Sequence, residues 1–323
     1  MSRSSFLPAY YVRAGADVTF SADGAGPERR FRWRCNDRDL PGAEGPTLKL
    51  PNVGTIATGM YSIVADDSEG ETCRDVANLT VVAETRFTEF AARGAAGEGP
   101  SALLLGFVID GAGAKGLLLR GRAASEASRP EITLIGTEPI GGLQLPPGAD
   151  DATLQTRLAT GGYSLRVADA GPARAGAEAA IRDLDEGDDS AATIVNASVR
   201  GPIPPAGSLE LEFTLAGTTA GTVLIRGIGP ALKALFGVGD ALSSARLELR
   251  NADGDLVGAN EDWRPQSLLP EAFARCGAFN LSADGADAAL LLTIPAGSYC
   301  AALTAPDGHA GVGLIEVYQV PTQ

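Results

Sequence analysis

The side chains that could do chemistry are few and poorly spaced for it. The one histidine, His309, sits in the turn-like PDGHAG (306–311). A serine or cysteine nucleophile needs a base beside it, so a Ser-His-Asp triad has little to be built from. Four cysteines, Cys35, Cys73, Cys276 and Cys300, form no C-x-x-C pair. With a lone histidine they do not make a zinc set. Forty Asp and Glu residues offer many carboxylate pairs, and a glycosidase needs two such groups roughly 5 to 10 Å apart. Most of these acids fall in turns, however: Asp66, Asp67 and Glu69 in ADDSEGE, and Asp183, Asp185, Glu186, Asp188 and Asp189 further on. Such acids read as solvated surface. The densest set is NADGDLVGANEDW (251–263), with Asp253, Asp255, Asn260, Glu261 and Asp262. Asp253, Asp255, Asn260 and Asp262 are the candidate calcium ligands, since hard oxygens on a loop suit that ion. The competing reading is a hairpin, because Asp253-Gly254 is a strong two-residue turn signal and the spacing is not that of an EF-hand.

The elements that would carry these residues are strands. The 323 residues suit about three domains of roughly 100 residues. Apolar residues make up 45% and charged residues 20%, with 41 Gly and 20 Pro for tight turns. A net charge of −14 opposes nucleic acid and anionic membrane as partners. No apolar stretch reaches the length of a membrane span. The first residues, MSRSSFLPAYYVRAGAD, contain no apolar run of the secretory kind. RGIGPAL (226–232) lacks the G-K-S/T of a phosphate loop and reads as a turn into one short helix.

From Asp17 to Val82, short alternating segments are broken by DGAGP, NDRDLPG and DDSEGE. Val18, Phe20, Trp33 in FRWRC, TLKLPNV, Tyr61 in GMYSIVADDSEGE, and VANLTVV together resemble an immunoglobulin-like domain. The resemblance implies that Trp33 fills the core and that Tyr61 closes a corner. Phe20 and Ile63 stand where many members carry the inter-sheet cysteines, so apolar packing replaces that bridge.

Two related blocks follow. SALLLGFVIDGAGAKGLLLRGRA (101–123) aligns with GSLELEFTLAGTTAGTVLIRGIG (207–229), and 150–185 aligns with 286–320, bringing Tyr163 onto Tyr299 and Arg120 onto Arg226. The two arginines are expected to bond groups within their own domain. EGDDSAA (186–192) reads as the linker. VLIRGIGPAL, FGVGDAL, LELRNADGDLVGANEDW, ARCGAFNL, DAALLLTIPAGSYCAAL and GVGLIEVY resemble a β-rich repeat of large secreted or surface proteins of Gram-negative bacteria, a module with no known reaction. The first block is a degenerate copy without the NEDW segment. Cys276 and Cys300 stand where that repeat has small or apolar residues, and this paired departure implies a Cys276–Cys300 disulfide.

The expected fold is all-β: an immunoglobulin-like sandwich (1–84) followed by two β-sandwich, jelly-roll-like repeats (85–190 and 191–323), joined as beads. The expected function is non-enzymatic binding, adhesion or assembly outside the cell, through other protein subunits or cell-surface glycans, with a homo-oligomer in view. Trp263, Tyr10 and Tyr11 are the candidate ligand-binding aromatics. The setting is a bacterial surface protein or a phage virion component such as a capsid decoration, tail or fibre protein. An accessory carbohydrate-binding module of a secreted enzyme is the third alternative.

Overall fold

Strand-forming alternation governs nearly the whole chain in the computed structural model, which describes residues 7–21, 30–67, 70–123, 130–136, 151–169, 176–185, 192–282 and 285–321. The turn DGAGP, Glu69 and the linker residues 186–191 lie outside the described residues.

The first seven strands are β1 (Ala9–Arg13), β2 (Val18–Ser21), β3 (Arg30–Cys35), β4 (Arg38–Asp39), β5 (Thr47–Leu50), β6 (Gly59–Asp67) and β7 (Gly70–Val82). They form an immunoglobulin-like sandwich, with β1-β7-β6-β3-β4 as one sheet and β2-β5 as the other. Trp33 is fully buried between them and donates its indole N–H to the Gly45 carbonyl at 3.0 Å. Phe20 and Ile63 are buried in the same cluster, with the Phe20 ring 4.9 Å from that of Tyr61. Large rings thus fill the place that a bridge would hold. Cys35 and Cys73 are free thiols on β3 and β7.

The remaining strands are β8 (Thr85–Ala95), β9 (Leu103–Ala123), β10 (Pro130–Gly136), β11 (Asp151–Asp169), β12 (Gly176–Asp183), β13 (Thr193–Ile203), β14 (Leu209–Gly217), β15 (Gly221–Ile228), β16 (Arg246–Asn251), β17 (Leu256–Asn260), β18 (Ala288–Ile294), β19 (Gly297–Thr304) and β20 (Gly311–Gln319). Two short helices, α1 (Pro230–Phe236) and α2 (Leu269–Arg275), belong to the second block. The two blocks do not stand apart as beads. Their described strands make one sheet in the order β17-β16-β19-β14-β8-β12-β9-β13-β20-β15-β18, with β10 and β11 branching from β9. A single apolar cluster runs from Phe87 to Val317 and takes side chains from both blocks. The sheet curls on itself, so that Val223 and Ile225 of β15 share this cluster with Leu247 and Leu249 of β16.

The reason for the shared sheet is a crossed pairing. β8 pairs with β12 of its own block and with β14 of the other; β13 pairs with β20 of its own block and with β9 of the other. Phe87 of β8 and Ile194 of β13 hold equivalent places and face each other directly, so a pseudo-twofold axis passes between them. Both crossed ladders carry a register shift at the same place, one between Thr214 and Leu215 and the other between Ile194 and Asn196. The equivalent glycines Gly94 and Gly201 each lie against both Leu103 and Leu209, and a Cβ at Gly94 would come 2.8 Å from Leu209 Cδ1.

One polar detail is common to all three units. The hydroxyl of Tyr61 donates to the Ala57 carbonyl at 2.8 Å, that of Tyr163 to Ala159 at 2.9 Å, and that of Tyr299 to Pro295 at 2.9 Å. In the two repeats the ring also stacks on a core phenylalanine: Tyr163 on Phe107 and Tyr299 on Phe213, each 5.5 Å between centroids. Replacing Tyr61, Tyr163 or Tyr299 with Phe removes only that bond. Each variant is expected to lose about 1 kcal/mol of stability in urea denaturation, with the native circular dichroism spectrum kept.

Candidate functional site

On a sheet strand, alternate side chains point to opposite faces, and here the inward set is apolar. The outward set on β9, β12, β8, β14, β19 and β16 forms cross-strand rows. One row, set by the strand registers, runs Arg122, Glu178, Arg93, Glu210, Ala302, Glu248. The next runs Arg120, Ala180, Ala91, Glu212, Cys300, Arg250. Neighbouring charges of opposite sign pair across the strands, Arg93 with Glu212 at 2.5 Å and with Glu178 at 3.5 Å, and along one strand, Arg250 with Glu248 at 2.9 Å. Two grooves open on this face. A groove of about 560 Å³ is lined by Arg93, Arg122, Glu178, Pro204, Ser208 and Glu210. A second, of about 360 Å³, is lined by Glu89, Glu212, Thr214, Asn251, Ser298 and Cys300. The face therefore offers charged and hydroxyl groups of both signs, with the aromatic rings of Phe213 and Tyr299 buried on its inner side.

Two acids of the second block are held in the charged form by arginines. The side chains of Arg246 and Arg250 hold the Glu248 carboxyl below the ordinary carboxylate range, and Arg264 does the same for Asp262. A general acid for glycoside cleavage needs the opposite shift. Burial raises the carboxyl of Asp287, which accepts the Gly229 and Ala231 amides at 2.9 and 3.3 Å beneath α1 and is sealed from solvent.

The four residues expected as calcium ligands, Asp253, Asp255, Asn260 and Asp262, are held by partners within the protein or lie in a tight turn. Asn251 Oδ1 accepts the Asp253 and Asp255 amides, and Gly254 takes a positive φ, so the loop is the hairpin between β16 and β17. Asp262 is engaged by Arg264, Glu261 by Arg246, and Asn260 binds the Asp262 carbonyl and the Ala289 amide. Among the described residues no three acidic, histidine or cysteine groups converge as a metal site.

The Cys276–Cys300 bridge is corrected: both thiols are free. Cys276 ends α2 and packs in the cluster of Leu224, Phe273 and Tyr318, whereas Cys300 lies on the outward face between Glu212 and Arg250. The two thus belong to different surroundings. Burial pushes the Cys276 thiol up to about 12 and the Cys300 thiol up to about 11, which keeps thiolate scarce.

The three aromatic candidates are not gathered into one platform. Trp263 is half-buried against Phe273, 5.7 Å between ring centroids, and helps to fill the α2 cluster. Tyr10 and Tyr11 lie on β1 of the N-terminal sandwich, where Tyr10 sets its ring edge on Phe20 and Tyr11 is 77% exposed. His309 is an exposed turn residue beside Asp307.

The contact between the sandwich and the body was not foreseen. Thr55 donates its hydroxyl to the Val320 carbonyl at 3.0 Å, and its amide donates to Thr222 Oγ1 at 2.9 Å, both buried. The Asn52 amide group donates to the Thr293 carbonyl, and Arg275 of α2 donates to the Thr55 carbonyl. A Cβ at Gly54 would fall 2.2 Å from the hydroxyls of Thr222 and Thr293, so the backbones approach closely there. The α2 end of this contact rests on Arg226. That fully buried guanidinium pairs with Glu316 and lies 5.0 and 4.2 Å from the ring centres of Phe273 and Phe279.

No family model matches the chain, and no curated protein matches it. Solved structures of immunoglobulin domains do. The N-terminal four Ig domains of Dscam1 isoform 8.4 align at 12% identity over 53% of this chain and 44% of that one, with a TM-score of 0.23. The isoform 4.44 fragment aligns at 14% identity over the same shares, with a TM-score of 0.23. The titin A168169 fragment aligns at 12% identity over 66% of this chain and 92% of that one, again with a TM-score of 0.23. The chain spans less than half the length of the Dscam1 fragments it matches.

Two outcomes follow. Replacing Arg226 with Ala strands Glu316 in a buried place and is expected to cost about 3 to 5 kcal/mol in chemical denaturation. Asp287 gives a pH signature. Its native carboxyl binds a proton more tightly than the unfolded chain does, so wild-type stability falls as pH rises from the ordinary aspartate range through the raised native value. Asp287→Asn cannot titrate there, and its stability relative to wild type is expected to climb across that window and then level off, measured by thermal melts at stepped pH.

Proposed function

We propose that this protein is a non-enzymatic binding or assembly protein of an exterior surface, and that the charged outward face of the shared sheet is where a protein partner docks. The observation that carries the reading is the alternation of Arg and Glu along the rows through Arg93, Glu178 and Glu212. A face of mixed sign is complementary to itself after a twofold rotation, so a second copy of the chain is its simplest partner. The buried hydrogen bonds of Thr55 support a further role for the N-terminal sandwich as an extension fixed to the body, with Tyr11 exposed on it. Resemblance of the second block to surface-protein repeats, with a net charge of −14, favours the outside of a bacterium or a virion as the setting.

Light scattering on the full chain tests this. Exposed charge pairs are screened at a Debye length of about 10 Å in 0.1 M salt, so association is expected at low ionic strength and dissociation as salt rises. Arg93→Glu is expected to remain monomeric throughout. Millimolar calcium is expected to change neither the mass nor the melting temperature. Wild-type protein that is monomeric at every ionic strength overturns assembly through this face.

A further inference from the structure

Lys115 and Asp183 form a charge pair inside the apolar core of the first block. Their side chains are 2% and 1% exposed, and Lys115 Nζ lies 2.8 Å from Asp183 Oδ2. Lys115 shares the inward face of β9 with Leu117 and Leu119, stands opposite Leu158 of β11, and meets Asp183 at the end of β12, whose inward residues are Ala179 and Ile181. An ion pair buried in this way is costly to desolvate and is not a general device of stability. The fold itself does not call for it. The register that sets Leu117 against Asp183 recurs in the second block as Val223 against Gln319, so the places of Lys115 and Asp183 are held there by Gly221 and Gln319, both uncharged.

The two oxygens of the Asp183 carboxyl are held differently. Asp183 Oδ1 accepts the Asp185 amide at 2.8 Å, whereas Oδ2 makes no well-directed hydrogen bond in spite of its closeness to Nζ. The amine therefore leans on a carboxyl group whose other oxygen is already polarised by a backbone donor. We propose that Lys115 and Asp183 condense to an intramolecular amide that ties β9 to β12. Proton transfer within the pair yields a neutral amine and acid. Nζ then attacks Cγ, and charge develops on Oδ1, where the Asp185 N–H stabilises it. The Cγ–Oδ2 bond breaks, and Oδ2 leaves as water with two of the three ammonium protons; the third remains as the amide N–H. No oxidant, metal or co-reactant enters. Fixed proximity raises the effective concentration of the amine enormously, and exclusion of water from the core opposes the reverse hydrolysis.

Intact mass spectrometry of the freshly purified full chain tests the bond. The expected mass is lower than that of the sequence by one water molecule, with fragmentation showing a branched peptide that joins Lys115 to Asp183. Lys115→Arg restores the full mass. Wild-type protein of full sequence mass overturns the proposal without any variant having to fold. So does a water loss that fragmentation places at an Asp-Gly step such as Asp110-Gly111, where a succinimide forms instead.

Discussion

β8 and β13 each have both edges occupied, one by the last strand of their own block and the other by the second strand of the opposite block. Everything else in the body depends on that crossing. A strand end left unpaired in either block would expose a row of backbone donors and acceptors, and each block covers the other's. The Phe87–Ile194 pair on the pseudo-axis, with the Phe87 ring packed 4.9 Å from Phe90 and 5.8 Å from Phe213, ties the crossing into the apolar cluster. A single block would bury only part of its inward face, which is the reason the two repeats fold as one body and not as a string.

The crossing also produces the surface on which function is proposed. Because β8 of the first block lies against β14 of the second, Arg93 reaches Glu212 across the block boundary while it faces Glu178 of its own block. The row of alternating charge thus runs over strands from both halves. Neither repeat carries it alone.

The all-β class was legible because strand alternation, tight-turn residues and the repeated Gly-x-Tyr step are local signals. Tyr61, Tyr163 and Tyr299 could be placed from their motifs for the same reason: each corner bond reaches only four residues back. The crossing was not legible. Sequence similarity between two blocks does not say whether β8 turns its free edge to its own block or to the other, since both pairings satisfy the same period-two pattern. The outward rows were missed because Arg93, Glu178 and Glu212 are unremarkable singly and become a surface only through register. The cysteines misled because a paired departure from a family pattern carries no geometry; one thiol faces the α2 cluster and the other the outward face of the sheet. The partners of the loop acids were not legible because they lie outside the motif: Arg264 engages Asp262 and Arg246, fifteen residues away, engages Glu261.

The two halves then differ where the second block carries extra chain between β15 and β18. That chain builds α1 and α2, and Arg226 is the group that makes it part of the core. Its guanidinium faces Glu316 of β20 and lies against Phe273 and Phe279, so the position of α2 is coupled to the last strand of the sheet. The equivalent Arg120 stands opposite Ala180 and is exposed. Arg275, on the α2 so fixed, reaches the Thr55 carbonyl of the N-terminal sandwich, while Val320, just past β20, accepts the Thr55 hydroxyl. The sandwich is thereby held by two elements that Arg226 keeps in register with each other. An approximate twofold body in this way gains one end that receives the sandwich.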